Sequence, residues 1–288
     1  MMQERDEHEL ANPVNNGFFR LEAGSLEEGL RAFQNNPGSL ALEVNALYGC
    51  DESVFKRVLE MTDVTGLSLV GLSPQMDLSK LKRMKQLRRL YIDATEWPLN
   101  LNWFPGLEEY GGPWHRSMNF ENASNLRHLS LDRFCPATQG VSDLCHAKQL
   151  VEVTLTKTSI ASLVGVEQLT NLRRLQVAYA RKLATPSNAE LLPRLEEAEF
   201  CNCPQLREHD VFQASPELRT LRFLRCGTMS SLSFIEKMVR LSHFSFVGTK
   251  VSDGDMRPLL RLESAGFDSR KEYSHSWQEV ANLISSRH

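Results

Sequence analysis

The sequence predicts an α/β solenoid, a stack of short parallel strands, and three observations carry that prediction. First, an L-x-x-L-x-L frame recurs as Leu87-Leu90-Ile92, Leu126-Leu129-Leu131, Leu150-Val153-Leu155, Leu172-Leu175-Val177, Leu195-Ala198-Phe200, Leu218-Leu221-Phe223 and Leu241-Phe244-Phe246. Weaker copies stand at Val64-Leu67-Leu69, Leu107-Tyr110-Gly112 and Leu262-Ala265-Phe267. Second, successive frames begin 19 to 24 residues apart, a period at which one unit cannot bury its apolar face alone and must stack on its neighbours. Third, such a unit is too short for a full strand–helix–strand crossover, so each strand returns by a turn or a short 3₁₀ piece.

Taken in order, residues 1–16 are polar and acidic, with little to bury, and are expected to be flexible. Residues 17–63 depart from the repeat and are expected to form an α/β N-terminal cap over the open end of the stack. Within it, Ser25 and Glu28 have the spacing of a capping box, opening a helix through Leu30 and Phe33 that Asn36-Pro37-Gly38 stops. Leu40 to Val44 alternates like a strand, and Asp51 caps a helix carrying Val54, Phe55, Val58 and Leu59. Residues 64–268 hold about ten repeats, one strand each, whose frame residues point inward. Gly111-Gly112-Pro113 marks an irregular strand in the third. Residues 269–288 read as a closing loop and a capping helix from Trp277 to Ile284.

The frame and its period are those of leucine-rich repeats. Phrases such as Thr158-x-Ile160-x-x-Leu163 and Thr249-Lys250-Val251-Ser252-Asp253 resemble the short-repeat class found in internalins and phosphatase-regulator leucine-rich proteins. The resemblance covers about 200 residues. It implies a leucine-rich-repeat arc with a parallel β-sheet on the concave face, closed by the α/β cap and the C-terminal helix. The tail also resembles the ends of bacterial cytoplasmic leucine-rich proteins, which suggests an immunity-type role.

Composition narrows the classes of function. A formal net charge of −3 supplies no basic stripe for nucleic acid. No apolar run approaches the roughly 18 residues of a membrane span. The first residues lack the basic-then-apolar order of a signal peptide. Six cysteines in a chain this long are too sparse for a disulfide scaffold, so the expected compartment is reducing and cytoplasmic, and the expected state alone is a monomer.

No HExxH, phosphate-cradling glycine loop or G-x-S-x-G elbow occurs. Cys201-x-Cys203 is half a metal site at most, since alternate strand residues face opposite ways and zinc needs four converging ligands. In the ninth frame position, where an asparagine usually satisfies turn backbone, the chain has Thr95, Thr158, Cys203, Cys226 and Thr249, with His115, Phe134 and Ala180 as departures. Those cysteines are therefore expected to be structural. His128 and His243 occupy equivalent positions five strands apart, about 24 Å, too far to share a metal. Neither a cofactor nor a catalytic group is predicted.

What remains is a binding surface. Residues between the frame positions face the concave side in three columns. The first reads Gly66, Arg89, Glu109, His128, Glu152, Arg174, Glu197, Thr220, His243 and Ser264, so that opposite charges meet across neighbouring strands. The second contains Tyr91, Thr154, Gln176, Glu199 and Arg222. The third runs through Asp93, Pro113, Asp132, Thr156, Ala178, Cys201, Leu224 and Val247, and from Ala178 to Val247 it is apolar and expected to be exposed, as an interface core would be. Trp97, Trp103 and Trp114 crowd the third repeat together with Phe104 and Phe120, Trp103 as packing and Trp114 as a candidate contact. The expected function is non-catalytic recognition of a protein through the concave face, in a narrower form the neutralisation of a bacterial toxin or effector. Two alternatives stand beside it. One is an enzyme or enzyme regulator working from Glu152 beside His128, and the other an exported internalin-like adhesin.

Overall fold

The computed structural model describes residues 14–15, 18–35, 41–73, 75–93 and 97–287. Of the start expected to be flexible, residues 1–13 and 16 lie outside them, as do the Asn36-Pro37-Gly38 stop, Leu40 and Thr95, whereas Val14 and Asn15 form a short strand. The chain divides into two compact units, Met1–Leu126 and Arg127–His288.

In the first unit the strands are β1 (Val14–Asn15), β2 (Phe18–Arg20), β3 (Ala41–Asn45), β4 (Gly66–Val70), β5 (Arg89–Ile92) and β6 (Glu109–Pro113). β1 and β2 pair antiparallel, and from β2 to β6 every neighbour is parallel. The parallel ladder therefore extends upstream of Val64. Phe19, Leu42, Leu67 and Leu90 stand in register and are buried, so β2 and β3 present the same inward row as the repeats although their sequence lacks the full frame. Their returns are longer and form true helices, α1 (Leu26–Asn35) and α2 (Glu52–Val58). α1 follows a 3₁₀ turn at Ala23–Ser25 and buries Leu30 and Phe33. α2 starts at Asp51, whose carboxylate accepts from the Ser53 and Val54 N–H groups, and buries Val54, Phe55 and Val58.

The second unit holds β7 (His128–Asp132), β8 (Glu152–Thr156), β9 (Arg174–Ala178), β10 (Glu197–Cys201), β11 (Thr220–Leu224), β12 (His243–Ser245) and β13 (Ser264–Gly266), parallel throughout and without register slips. Among the described residues, eight of the nine returns between β4 and β13 carry a 3₁₀ turn, among them Ser142–Leu144, Val166–Gln168 and Arg257–Arg261. The frame residues form the core: Leu131, Leu155, Val177, Phe200, Phe223 and Phe246 are fully buried. Toward the C-terminus this row becomes aromatic. Phe200 stacks on Phe223 at 5.6 Å between ring centres, Phe223 meets Phe212 and Phe244, and Phe246 lies flat on Phe267 at 5.1 Å.

The ninth position works through its side-chain donor. The Thr249 hydroxyl donates to the Phe223 carbonyl at 2.6 Å and accepts the Cys226 N–H at 2.9 Å. Thr158 donates to the Phe134 carbonyl at 2.6 Å, Cys226 Sγ to that of Phe200 at 3.2 Å, and Cys203 Sγ to that of Val177 at 3.7 Å. Small donors here satisfy backbone carbonyls near the C-terminal ends of the strands, which burial would otherwise penalise. The neighbouring Cys203 sulfur and burial push the Cys226 thiol well up from its ordinary value.

The C-terminal end is closed by α3 (Trp277–Ser285). Ser276 and Glu279 form a capping box, Val280 and Ile284 are buried, and the Trp277 indole N–H donates to the Ala265 carbonyl of β13 at 3.2 Å.

Candidate functional site

Each five-residue strand turns its frame positions into the core and three side chains outward, and in β7, β8, β10 and β11 burial follows that alternation. The outward side chains of β8 to β11 form two hydrogen-bonded rows. In the first row the Arg174 guanidinium grips Glu152 at 2.7 and 3.0 Å, while His128 Nδ1 lies 3.9 Å from the same carboxylate. In the second, Thr154 reaches Gln176 at 3.5 Å, Gln176 donates to Glu199 at 3.0 Å, and Glu199 pairs with Arg222 at 3.4 Å. Glu152, Thr154, Arg174, Gln176, Glu197, Glu199 and Arg222 line an open depression of about 150 Å³. The pairs are solvent-facing, each contributing only about 0–1 kcal/mol to stability. Their larger effect is to hold long side chains in one arrangement. The Glu152 carboxylate is engaged by Arg174, and its distance to His128 exceeds that of a hydrogen-bonded acid–base pair.

The third column differs from the expected apolar strip. Ala178 is buried, Cys201 and Leu224 are half-buried, and only Val247, at 41%, is exposed. A single methyl group between the paired Thr156 and Cys201 does not rise past its neighbours. Asp132 in this column lies 3.5 Å from both Arg133 and Lys157.

In the first unit the structure places Arg89, Tyr91 and Glu109 together, with the Tyr91 hydroxyl donating to Glu109 at 2.7 Å. Tyr91 also packs edge-on against Phe18 at 5.5 Å and crosses the next strand above Gly111, where a Cβ would come within 2.5 Å of its ring. Gly111 and Gly112 lie within the five-residue strand β6, whose burial departs from the alternation of β7 and β8, in line with the irregular strand expected. The glycines make room for the Tyr91 ring, the Tyr110 hydroxyl and the Ile92 carbonyl. Asp93 has a backbone role: its carboxylate accepts the Gly71 N–H at 2.6 Å. Asp268 does the same for Gly248 at 2.7 Å in the second unit. Trp97, Trp103 and Trp114 are all half-buried, and Trp103 packs between Trp97 at 5.4 Å and Phe104 at 6.4 Å.

One feature of the second unit escaped the sequence reading. The residue directly after each of β7 to β11 adopts the left-handed conformation: Arg133, Lys157, Tyr179, Asn202 and Arg225 have φ between 50° and 56°, and Gly248, at the equivalent frame position past β12, has φ 74°. Each of the five donates its N–H to a carbonyl at the same frame position of the next repeat, at Thr156, Ala178, Cys201, Leu224 and Val247, at 2.8–2.9 Å. The extra ladder bond dictates the conformation, at roughly 1–2 kcal/mol of strain for a residue that is not glycine. The signal was present in the sequence, since glycine or asparagine recurs at this frame position in Gly71, Asn202 and Gly248.

Among the described residues, no group of three or more His, Cys, Asp or Glu side chains is placed to hold a metal, and no helix is long and apolar enough to cross a membrane.

These repeats, parallel strands and 3₁₀ returns define a leucine-rich-repeat fold. The chain is similar to an internalin, InlF, from Listeria monocytogenes, with a TM-score of 0.63 and 17% identity over 96% of this chain and 83% of that one. It also matches a leucine-rich-repeat protein from Leptospira interrogans, with a TM-score of 0.49 and 15% identity over 85% of this chain and 76% of that one. No family model and no curated protein sequence matches it. At these identities the likeness is one of fold.

Proposed function

We propose that the chain is a non-catalytic module that binds another protein through the outward face of its strands. The observation that carries this reading is the surface of β8 to β11, where Glu152, Arg174, Gln176, Glu199 and Arg222 are already locked by one another. A preformed surface loses little conformational freedom on association, and its alternating charges select a complementary partner more than they add raw affinity. Leu224 and Val247 border it and supply apolar contact. The residues proposed to meet the partner are His128, Asp132, Glu152, Thr154, Arg174, Gln176, Glu197, Glu199, Arg222, Leu224 and Val247, with a second group of Arg89, Tyr91, Asp93, Glu109 and Trp114 in the first unit. The narrower form is neutralisation of a bacterial toxin or effector in the cytoplasm by covering its active surface, as an immunity protein does. Occlusion asks for a rigid complementary face and no reacting group.

The test is affinity capture from host lysate with the wild type beside a variant carrying Arg174→Glu, Glu199→Arg and Leu224→Asp. One stoichiometric partner retained by the wild type and lost by a variant of unchanged melting temperature is the expected outcome. Inhibition of that partner's activity by an equimolar amount of the chain would establish neutralisation. Equal retention by both proteins would remove the strand face as the binding surface.

A further inference from the structure

The left-handed residues that end the strands of Arg127–His288 form a rim, and its side chains are not those the backbone asks for. The ladder needs only an N–H in a left-handed conformation, which glycine supplies without strain, as at Gly248. Yet Arg133, Lys157, Tyr179 and Arg225 are long, charged or aromatic side chains held at φ 50–56°. Strain that persists where a cheaper residue would serve points to a use for the side chain.

The charge on the rim is one-sided. The stretches that follow β7 to β11, 132–138, 156–161, 178–184, 201–207 and 224–230, contain Arg133, Lys157, Arg181, Lys182, Arg207 and Arg225 against the single carboxylate of Asp132, while the next stretch, 247–253, balances Lys250 with Asp253, in a chain whose net charge is −3. Asp132 is shared between Arg133 and Lys157. The nearby acids of the strand face, Glu152 and Glu199, are engaged by Arg174 and Arg222. Among the described residues no carboxylate lies within 4 Å of Arg181, Lys182 or Arg225. Tyr179, 53% exposed, stands among these cations.

We propose that this rim seats an extended acidic segment of a protein partner. Four strand spacings separate Arg133 from Arg225, about 19 Å, which an extended segment of about six residues spans. Its carboxylates would meet Arg133, Lys157, Arg181 or Lys182, and Arg225, with an apolar side chain against Tyr179. A peptide fits better than nucleic acid. Tyr179 alone makes no platform for successive bases, and a continuous phosphate backbone would also lie against Glu152, Glu197 and Glu199, whereas a peptide can place its charges at the rim only. The proposal rests on the protein-binding reading above and adds the chemistry of the partner.

Fluorescence polarisation with a labelled oligo-glutamate peptide tests it, with an oligothymidine of equal charge as the competing probe. The rim variant is Lys157→Gly with Arg225→Gly, which suits the left-handed backbone and so preserves the fold. The peptide is expected to bind the wild type and to weaken about tenfold in the rim variant. It should weaken further with salt and change less than about twofold in an Arg174→Glu, Glu199→Arg variant, which leaves the rim residues in place. Absence of peptide binding, or equal binding by the rim variant, would overturn the proposal. Tighter binding of oligothymidine with the same rim dependence would also overturn it and assign the rim to nucleic acid. A lysate partner lost from the face variant but kept by the rim variant would refute the rim and leave the strand-face reading standing. Rim-dependent peptide binding with no partner lost from the face variant would do the reverse.

Discussion

At the scale of single residues, two positions show tertiary structure overriding local preference. Lys157 is held left-handed by its bond to the Ala178 carbonyl, a conformation that glycine adopts without strain. Lys157→Gly is therefore expected to stabilise the fold by about 0.5–1 kcal/mol, read as a higher urea midpoint, and a loss of stability would show that the lysine stem packs more than its exposure indicates. His209 is 4% exposed, its ring meets Phe223 edge-on at 4.7 Å, and its Nε2 has no hydrogen-bond partner. Burial, helped by the charge of Arg207, depresses its pKa to about 4 from an ordinary 6.5. Because the folded value lies below the ordinary one, protonation favours the unfolded chain. Stability is whole above about pH 6.5 and drains as the pH falls toward about 4, by at most about 3 kcal/mol. Urea titrations across that window should lose this acid limb in His209→Phe. An unchanged limb would place the proton elsewhere.

At the scale of elements, strand spacing and helix caps carry the argument. Gly111→Ala places a Cβ against the Tyr91 ring and is expected to cost about 1–3 kcal/mol, most of it recovered in a Tyr91→Ala background. Additive losses in that double-mutant cycle would mean the ring is not the obstacle. At the far end, α3 depends on the reciprocal Ser276–Glu279 cap, so Ser276→Ala should lower stability by about 1 kcal/mol and raise hydrogen exchange first in residues 277–285. Protection retained there would show that Val280, Ile284 and the Trp277–Ala265 bond hold the helix unaided.

At the scale of the whole molecule, a repeat stack is held by contacts between neighbours rather than by one centre. Phe223 touches Phe200, His209, Phe212 and Phe244, and Phe223→Ala should cost about 3–5 kcal/mol. Exchange protection is expected to fall in β10 to β12 while that of β3 to β5 stays as it was. Equal loss everywhere would mean the stack unfolds as one cooperative body and not repeat by repeat.

The parts legible in advance were those that depend on side-chain period. The leucine frame located every strand from β4 to β13, the threonine and cysteine column was readable as turn support, and the Glu152–Arg174 and Glu199–Arg222 pairs followed from register alone. Frame arithmetic could not decide exposure at strand ends, so Ala178 was expected outside and lies inside. Nor could it show that Phe19 and Leu42 continue the inward row, because Asn16 and Ser39 stand where the frame has its first apolar residue. The sequence by itself determined the repeat, its register and the order of charges on the outward face, since all three depend on spacing along one chain. Only the tertiary structure decided that Arg133, Lys157, Tyr179 and Arg225 turn left-handed into a cationic rim, because that conformation is imposed by a carbonyl of the next repeat, about 22 residues further along the chain.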